Sequence, residues 1–260
     1  MTDSTSADPA SPDAVLVGCA GWTLPADVQP AFPAEGSHLQ RYAARFPAVE
    51  INSSFHRPHR PTTYARWSAS VPPGFRFCVK IPKTITHALR LRDADEALAA
   101  FLAEAGALGP ALACLLVQLP PSLAFDREVC ERFFTILRAA TPVPAVCEPR
   151  HATWFTPEVD AMLDAWRIAR VAADPARVPE AAEPGGWRGL AYHRLHGSPR
   201  TYYSSYTDEY LDALALRVRR DADAGRETWC IFDNTAAGAA AQNALELVAR
   251  LDGNPHGEVP

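Results

Sequence analysis

Short apolar runs alternate along the chain with longer segments in which apolar residues recur at helical spacing. The runs are rich in Val, Ile, Leu, Phe and Cys, which is typical of strands buried on both faces of a parallel sheet. Helical segments are predicted near 38–46, 62–69, 93–107, 127–139, 157–166, 208–224 and 239–251. Eight strands are predicted over residues 14–19, 48–52, 75–81, 112–119, 145–147, 168–172, 190–195 and 228–234.

The segment after the sixth strand breaks this alternation. Residues 175–188 contain three prolines and the pair Gly185-Gly186, which favour turns over a helix. We expect an irregular loop that replaces or shortens the helix there. Eight strands alternating with helices in about 250 residues predict an α/β fold, a single (β/α)8 TIM barrel. The alternative is an open doubly wound sheet, which would often carry a Gly-rich first turn that this chain lacks.

The ends of the chain and its cysteines lead to predictions about domain boundaries and cellular location. We expect a disordered N-terminal tail over 1–13, one barrel domain over 14–251 and a C-terminal tail over 252–260. The first residues lack the pattern of a signal peptide, and no apolar run is long enough to span a membrane. The six cysteines form no Cys-x-x-Cys pair, so we interpret them as small buried side chains. These features predict a cytoplasmic protein without a membrane partner.

Polar side chains lie where the predicted strands end. In a parallel barrel every strand ends at the same rim, which is where active sites of such barrels lie. Side chains alternate along a strand, so Glu50 and Asn52, Glu148 and Arg150, and Arg194 and His196 each share a face. If these faces point inward, they line one cup. The full set is Trp22, Glu50, Asn52, Lys80, Gln118, Glu148, Arg150, His151, Asp174, Arg194, His196, Asp233 and Asn234.

Lysine is rare in this chain. Of 25 Lys and Arg residues only Lys80 and Lys83 are lysines, and both lie at the end of the third strand. Lysine differs from arginine in being a compact charge with an adjustable pKa. We therefore count Lys80 as a candidate site residue, whereas Lys83 is also explained as surface charge.

The charged candidates allow more than one role. Glu50 and Glu148 could form a general acid–base pair or bind a metal, or they could simply be ion-paired and brace the rim. His151 and His196 are candidate proton carriers, and a hydrogen-bonded rim histidine explains each equally well. Lys80, Arg150 and Arg194 suggest an anionic ligand or, alternatively, internal neutralisation of the carboxylates.

Uncharged candidates complete the predicted binding site. Asn52, Gln118 and Asn234 are included as polar ligand contacts because they end strands. Aromatic side chains on predicted rim loops could stack a sugar or a base, although a single aromatic residue is more often part of a core. These aromatic candidates are Trp22, Trp154, Tyr203 and Tyr206.

Seven short motifs are specific as a set, although each alone is weak. They are Gly18-Cys-Ala-Gly-Trp22, Val49-Glu-Ile-Asn-Ser-Ser-Phe55, Phe77-Cys-Val-Lys80 with Thr86-His87, Val117-Gln-Leu-Pro-Pro121, Glu148-Pro-Arg-His-Ala-Thr-Trp154, Arg194-Leu-His-Gly197 and Phe232-Asp-Asn234 with Gly238. In their order and spacing, from about residue 14 to 251, they resemble the DUF72 (YecE-like) family. The resemblance implies a TIM barrel and supplies no established activity.

The candidate residues lead to three hypotheses for function. The first is a hydrolase-type or isomerase-type enzyme acting on an anionic ligand such as a sugar phosphate or nucleotide. In it Glu148 is the general base or acid, Glu50 its partner, and His151 or His196 a second proton carrier, while Lys80 and Arg194 neutralise developing charge. We lean towards an enzyme of unassigned class.

The alternatives are a metal-dependent phosphoesterase or nuclease-like enzyme and a non-catalytic phosphate or nucleic-acid binder. No cofactor is predicted. A bound divalent metal ion is kept as an alternative, with Glu50, Glu148, Asp174 and His196 as its ligands. The net charge of −5 gives no overall positive field, so nucleic acid is not favoured as a partner over a small anionic ligand. No feature of the chain fixes an oligomeric state.

Overall fold

The computed structural model describes residues 15–253, so the predicted tails 1–13 and 252–260 lie wholly or largely outside it. Helices begin where the sequence supplies caps: Ser37, Asp126, Thr156 and Thr207 each accept a hydrogen bond from the backbone N–H three residues further on. The helices are α1 (His38–Ala43), α2 (Pro61–Ala69), α3 (Asp95–Ala105), α4 (Arg127–Ala140), α5 (Pro157–Ala165), α6 (Asp208–Asp223) and α7 (Ala239–Leu251).

Nine of the ten strands match the eight predicted ones, because the sixth is split in two. The tenth is a two-residue strand within the irregular loop. The strands are β1 (Leu16–Cys19), β2 (Ala48–Ile51), β3 (Arg76–Lys80), β4 (Leu112–Gln118), β5 (Ala145–Glu148), β6 (Ile168–Arg170), β7 (Ala172–Asp174), β8 (Gly185–Gly186), β9 (Leu190–Leu195) and β10 (Glu227–Phe232).

Each long strand pairs in parallel with its neighbours in the sheet. One sheet has the order β1-β10-β9-β7 and the other begins β2-β3-β4-β5-β6. The two are continuous at Val171, which separates β6 from β7 and whose N–H donates to the carbonyl of Cys147 at 2.9 Å. At the other junction Ala20 and Glu50 form a parallel bridge. Together with the surrounding helices this arrangement confirms the α/β TIM-barrel fold.

Tyr42 connects β1 to β2 where regular pairing is sparse. Its hydroxyl accepts the N–H of Cys19 at 2.7 Å and donates to the carbonyl of Ala48 at 2.8 Å. The strands approach so closely that a Cβ on Gly18 would clash with the carbonyl of Ala48. Gly18 is therefore required here by space.

Apolar side chains fill two layers. One layer lies between the strands and the helices, and the other fills the barrel interior. All six cysteines are free and buried, which confirms their interpretation as small core residues. Among residues 15–253 no helix is both long and apolar enough to cross a bilayer. The interior layer consists mainly of Leu16, Ala20, Ala48, Cys78, Cys114, Leu116, Val146, Ala169, Val171, Leu190, Tyr192, Trp229 and Ile231.

The loop after β7 is irregular, as predicted. It contains a 3₁₀ turn over Pro179–Ala182 and the strand β8, which pairs antiparallel with β6. Arg170, at 4% exposure, anchors it by a two-pronged ion pair with Asp160 at 2.8 and 3.1 Å and by hydrogen bonds to loop carbonyls. Part of the loop therefore folds over a buried guanidinium in place of a helix.

Candidate functional site

The barrel interior changes from apolar to polar at the carboxyl ends of the strands. Ala48, Cys78, Leu116, Val146, Tyr192 and Ile231 belong to the apolar interior. The residue two positions later on each strand faces the same way, since side chains alternate. Those residues are Glu50, Lys80, Gln118, Glu148, Arg194 and Asp233, and all of them are buried.

Arg194 lies at the centre of this polar layer and is fully buried. Its Nε and Nη2 donate to the two carboxylate oxygens of Glu50 at 3.0 and 2.6 Å. Its Nη1 lies 3.2 Å from Oε2 of Glu148, and its Nη2 lies 3.0 Å from Oδ2 of Asp233. Tyr192 donates a further hydrogen bond to Glu50 at 2.9 Å. One guanidinium therefore contacts three carboxylates, which lie at the ends of β2 and β5 and directly after β10.

His196 bridges two of the same carboxylates. Its Nε2 lies 2.9 Å from Oε1 of Glu148 and its Nδ1 lies 3.0 Å from Oδ2 of Asp233. A carboxylate can only accept, so both ring nitrogens carry protons and His196 is an imidazolium. Nη1 of Arg194 is 3.3 Å from Nδ1 of the ring, a like-charge contact that the carboxylates on both sides offset.

Arg150 completes the pairing of Glu148. Its Nε and Nη2 donate to Oε1 of that carboxylate at 3.1 and 2.9 Å. Unlike Arg194, its side chain is 18% exposed. A cleft of about 250 Å³ borders it, lined by Glu148, Arg150 and His196 and by the exposed Arg177. The open edge of the cluster is thus positively charged.

Lys80 has no anionic partner in the part of the chain that the structure describes. Its side chain is 6% exposed, yet no carboxylate oxygen of residues 15–253 lies within 4.0 Å of Nζ. The ammonium instead lies 4.1 Å from the centroid of the Phe55 ring. Glu50, Glu148 and Asp233 carry three negative charges and Arg194, Arg150 and His196 three positive ones. Lys80 therefore leaves the buried cluster with one unbalanced positive charge.

The pairing fixes the protonation states of these groups. Burial would raise the pKa of Glu148, but the charges of Arg194 and His196 hold it well below its usual range. The same two residues overcome burial and lower the pKa of Asp233. Burial lowers the pKa of His196, and the Glu148 charge outweighs it, so the pKa is raised. Burial, reinforced by Arg194, lowers the pKa of Lys80 to about 8.

A family model described as a protein of unknown function, DUF72, matches residues 16–259. The chain belongs to the DUF72 family. YecE of Escherichia coli strain K12 is 31% identical over 106 residues, which cover 41% of this chain and 38% of that protein. YunF of Bacillus subtilis strain 168 is 22% identical over 269 residues, covering 92% and 95%. Both are called UPF0759 proteins, a name that states no substrate or reaction.

Solved structures of DUF72 family proteins share the fold. One from Enterococcus faecalis V583 has a TM-score of 0.77 at 21% identity, covering 92% of this chain and 96% of its own. One from Thermotoga maritima MSB8 has a TM-score of 0.73 at 25% identity, covering 92% and 100%. The resemblance noted in the sequence is therefore confirmed for family and fold.

The aromatic platform predicted for this DUF72 protein is not assembled. Trp154 is fully buried, donates from its indole to the carbonyl of Leu123 at 2.9 Å and packs against Phe125, so it is a core residue. Each of the other three rings packs elsewhere: Trp22 against Trp67, Tyr203 under Arg200, and Tyr206 against Tyr210. Tyr203, at 45% exposure, is the most exposed of the four, whereas Trp22 is half-buried and the other two are buried.

Other predicted residues are used in local structure. Asp174 accepts from the hydroxyl of Tyr206 at 2.7 Å, apart from the charge cluster. His151 accepts from the N–H of Thr153 and so caps a 3₁₀ turn. Asn234 donates to Asn243 at 2.9 Å, and Gln118 to the carbonyl of Leu119 at 2.7 Å.

The four proposed metal ligands are not gathered around one point, although Glu148 and His196 are in contact. Among residues 15–253 no group of three or more His, Cys, Asp and Glu side chains is placed to hold a metal ion. Glu50, Glu148 and His196 direct their polar atoms to Arg194, Arg150 and one another. The donor set thus suits a cluster neutralised by guanidinium groups better than a divalent cation.

Three residues without a role assigned from the sequence lie at the cluster or next to it. Asp233 supplies the third carboxylate, and the amide of Asn52 lies 3.4 Å from it. Tyr202 meets the ring of His196 edge-on at 5.6 Å. The ring of His87 lies 5.0 Å from that of Phe55, on which Lys80 rests. Position at a strand end signalled Asp233, and His87 belongs to one of the family motifs, whereas no sequence pattern signalled Tyr202.

Proposed function

We propose that the rim cluster of this DUF72 barrel binds a small anionic ligand, such as a sugar phosphate or a nucleotide, and acts on it by acid–base chemistry of the hydrolase or isomerase type. The observation that carries the proposal is the unpaired ammonium of Lys80 in a cluster that is otherwise balanced. A buried charge without a partner is costly, and an anionic ligand would offset that cost.

The wider rim supports the same ligand charge. Arg150 and Arg177 line the adjacent cleft, so the entrance is cationic. Asn52 presents a buried Oδ1 without a hydrogen-bond partner among residues 15–253, which suits a ligand hydroxyl. A sugar phosphate offers both kinds of group.

The roles of the charged residues follow from their contacts. Glu148 is ionised and paired with Arg194, Arg150 and His196, so it is a weak base and serves to hold the imidazolium. His196, protonated and at the cleft, is the general acid. Glu50 has no exposed surface and orients Arg194. The same contacts would serve a non-catalytic phosphate binder, and turnover distinguishes the two.

The proposal predicts anion-dependent stabilisation. A ligand at about 100 times its Kd adds about 2.7 kcal/mol to the free energy of unfolding, which raises Tm by roughly 5–10 °C in a protein of this size. We expect inorganic phosphate, glucose 6-phosphate or AMP to raise Tm in the parent and in the exposed-site control Lys83→Met. Lys80→Met should lose this rise. Hydrolysis or isomerisation of the stabilising compound then tests catalysis.

The unliganded Lys80→Met variant provides a second readout. Because Lys80 has no anionic partner among residues 15–253, its removal should leave the unliganded Tm unchanged or higher. A marked fall in that Tm would show that Lys80 braces the rim. Equal anion responses in the parent and in Lys80→Met would overturn the anion site.

A further inference from the structure

Lys80 is placed as a nucleophile as well as a charge. A lysine amine reacts with a carbonyl group only when it is neutral and free of hydrogen bonds that occupy its lone pair. Lys80 is nearly buried, and its Nζ contacts the face of Phe55 at 4.1 Å rather than a carboxylate. A salt bridge would keep the amine protonated, and none is formed with residues 15–253.

The surroundings of Lys80 increase the fraction of its amine that is neutral, although Glu50, Glu148 and Asp233 act against burial and Arg194. Burial and the charge of Arg194 lower its pKa from 10.5 to about 8. At pH 7 this difference increases the neutral fraction about 300-fold over an ordinary lysine. Arg is not an alternative nucleophile because its guanidinium stays protonated.

A candidate proton carrier packs against the same ring. His87 meets Phe55 edge-on at 5.0 Å, and its Nδ1 is within 2.9 Å of the hydroxyl of Thr86, which leaves Nε2 available. Burial, Lys80 and Arg150 lower the pKa of His87, so the imidazole is neutral at pH 7 and can accept a proton. This residue has no part in the charge cluster around Arg194.

We propose that Lys80 forms an imine with the carbonyl carbon of a small ligand that also carries a carboxylate or phosphate group, with His87 as the proton carrier. This inference rests on the proposed function, because the anionic group would be held by Arg150 and Arg177 at the neighbouring cleft. The ligand class is thus narrowed to 2-oxo acids and phosphorylated aldehydes or ketones.

The chemistry balances without a further reactant. The Nζ lone pair forms a bond to the carbonyl carbon while the C–O π pair moves to oxygen. His87 takes a proton from nitrogen and gives it to that oxygen, which yields a carbinolamine. The proton that the Lys80 ammonium released to solvent on becoming neutral is taken up again through His87 and protonates the hydroxyl group, which leaves as water while the nitrogen lone pair forms the C=N bond. Counted from the ammonium form, the products are the iminium ion and one water molecule, with no net proton uptake and nothing oxidised or reduced.

Reductive trapping tests the imine directly. The protein is incubated at pH 7 with glyoxylate and sodium cyanoborohydride, which reduces an imine to a stable secondary amine, and the adducts are mapped by peptide mass spectrometry. Lys80 and Lys83 are the two lysines of the chain, so Lys83 is an internal control. We expect Lys80 to be modified at least about tenfold faster, because its neutral fraction is larger. Equal modification of both lysines, or none of Lys80, overturns the imine.

The proton carrier has its own variant. His87→Gln should slow adduct formation on Lys80 by at least about tenfold, which is within the usual contribution of acid–base catalysis. The rate in this variant should also lose the part of its pH dependence that comes from titration of His87. His38→Gln, which changes an exposed histidine at the start of α1, should leave the rate unchanged. An unchanged rate in His87→Gln would overturn the role of His87.

Lys80→Arg separates this inference from the proposed function. Arginine keeps the positive charge and cannot form the imine. We expect Lys80→Arg to retain the phosphate-dependent rise in Tm and to lose the trapped adduct. A phosphate response in the parent without any Lys80 adduct would overturn the imine and leave the anion site standing. If the adduct forms on Lys80 at the same rate with and without phosphate, the anion site is overturned instead.

Discussion

Replacing Arg194 with Met is expected to destabilise the protein by about 3–5 kcal/mol, because it leaves buried carboxylates without their common partner. Glu50, Glu148 and Asp233 all contact this one guanidinium, which has no exposed surface. In a chain of this size the loss corresponds to a fall in Tm of roughly 6–20 °C. Urea unfolding followed by circular dichroism measures the change in free energy.

Two further variants identify the cause of that loss. Arg220→Met removes an ion pair with Glu183 in which both side chains are more than half exposed, and a 3.5 Å contact with Asp221. Asp221 keeps Arg226 and His193 as partners, so the variant should change stability little. Adding Glu50→Gln to Arg194→Met removes one of the stranded charges and should restore part of the lost stability. If Arg194→Met is as stable as Arg220→Met, the cluster does not hold the rim together.

Loss of the charges of the cluster should lower the free energy of unfolding at both low and high pH. His196 has a raised folded-state pKa, so its contribution is complete below the unfolded value of about 6.5 and is lost as pH rises through the folded value. Glu148 and Asp233 have lowered pKa values, so their contribution is complete above about 4.3 and is lost as pH falls through the folded values. Each unit of difference between the folded and unfolded pKa is worth about 1.4 kcal/mol.

Urea unfolding at a series of pH values tests this dependence. Between pH about 4.5 and 6.5 the contribution of the cluster should be at its maximum. In His196→Gln the stability difference from the parent should be largest in that window and should shrink as pH rises. His38→Gln, on an exposed residue, should parallel the parent throughout. A constant difference between His196→Gln and the parent at all pH values would contradict the charged state of His196.

Strand parity accounts for most of what could be predicted. The fold followed from eight apolar runs, and the α/β barrel is confirmed by its strand order. Because Glu50, Glu148 and Arg194 lie within regular strands, alternation correctly placed them on one inward face. The ion-pairing alternative for these residues is what the structure shows, whereas the catalytic roles stay predictions.

Residues beyond the strand ends were less predictable. Trp154 lies six positions after β5 ends, in a 3₁₀ turn where alternation no longer applies, and it turns into the core. Tyr202 reaches His196 through a loop in which its own φ is +71°, a conformation that a Tyr side chain does not signal. α3 begins at Asp95 rather than at the predicted 93, because Asp93 has a positive φ of 43°.

The balance of charge could not be counted from the sequence. Strand ends named the charged groups but not which of them pair, since pairing depends on distances across the barrel. The structure shows that guanidinium groups and His196 neutralise all three buried carboxylates, so the lysine is the group left over. We therefore propose that Lys80 is a readily titrated cation, unpaired among residues 15–253, at a site for anions.

Titration of the lysines by nuclear magnetic resonance tests that claim most directly. Protein labelled with ¹³C-lysine gives ε-methylene signals from Lys80 and Lys83, and Lys80→Arg assigns them. We predict that Lys80 titrates near pH 8 and that inorganic phosphate raises this midpoint, since a nearby anion favours the charged amine. Titration of both lysines near the ordinary value of about 10.4, with no shift on adding phosphate, would contradict the assignment of Lys80.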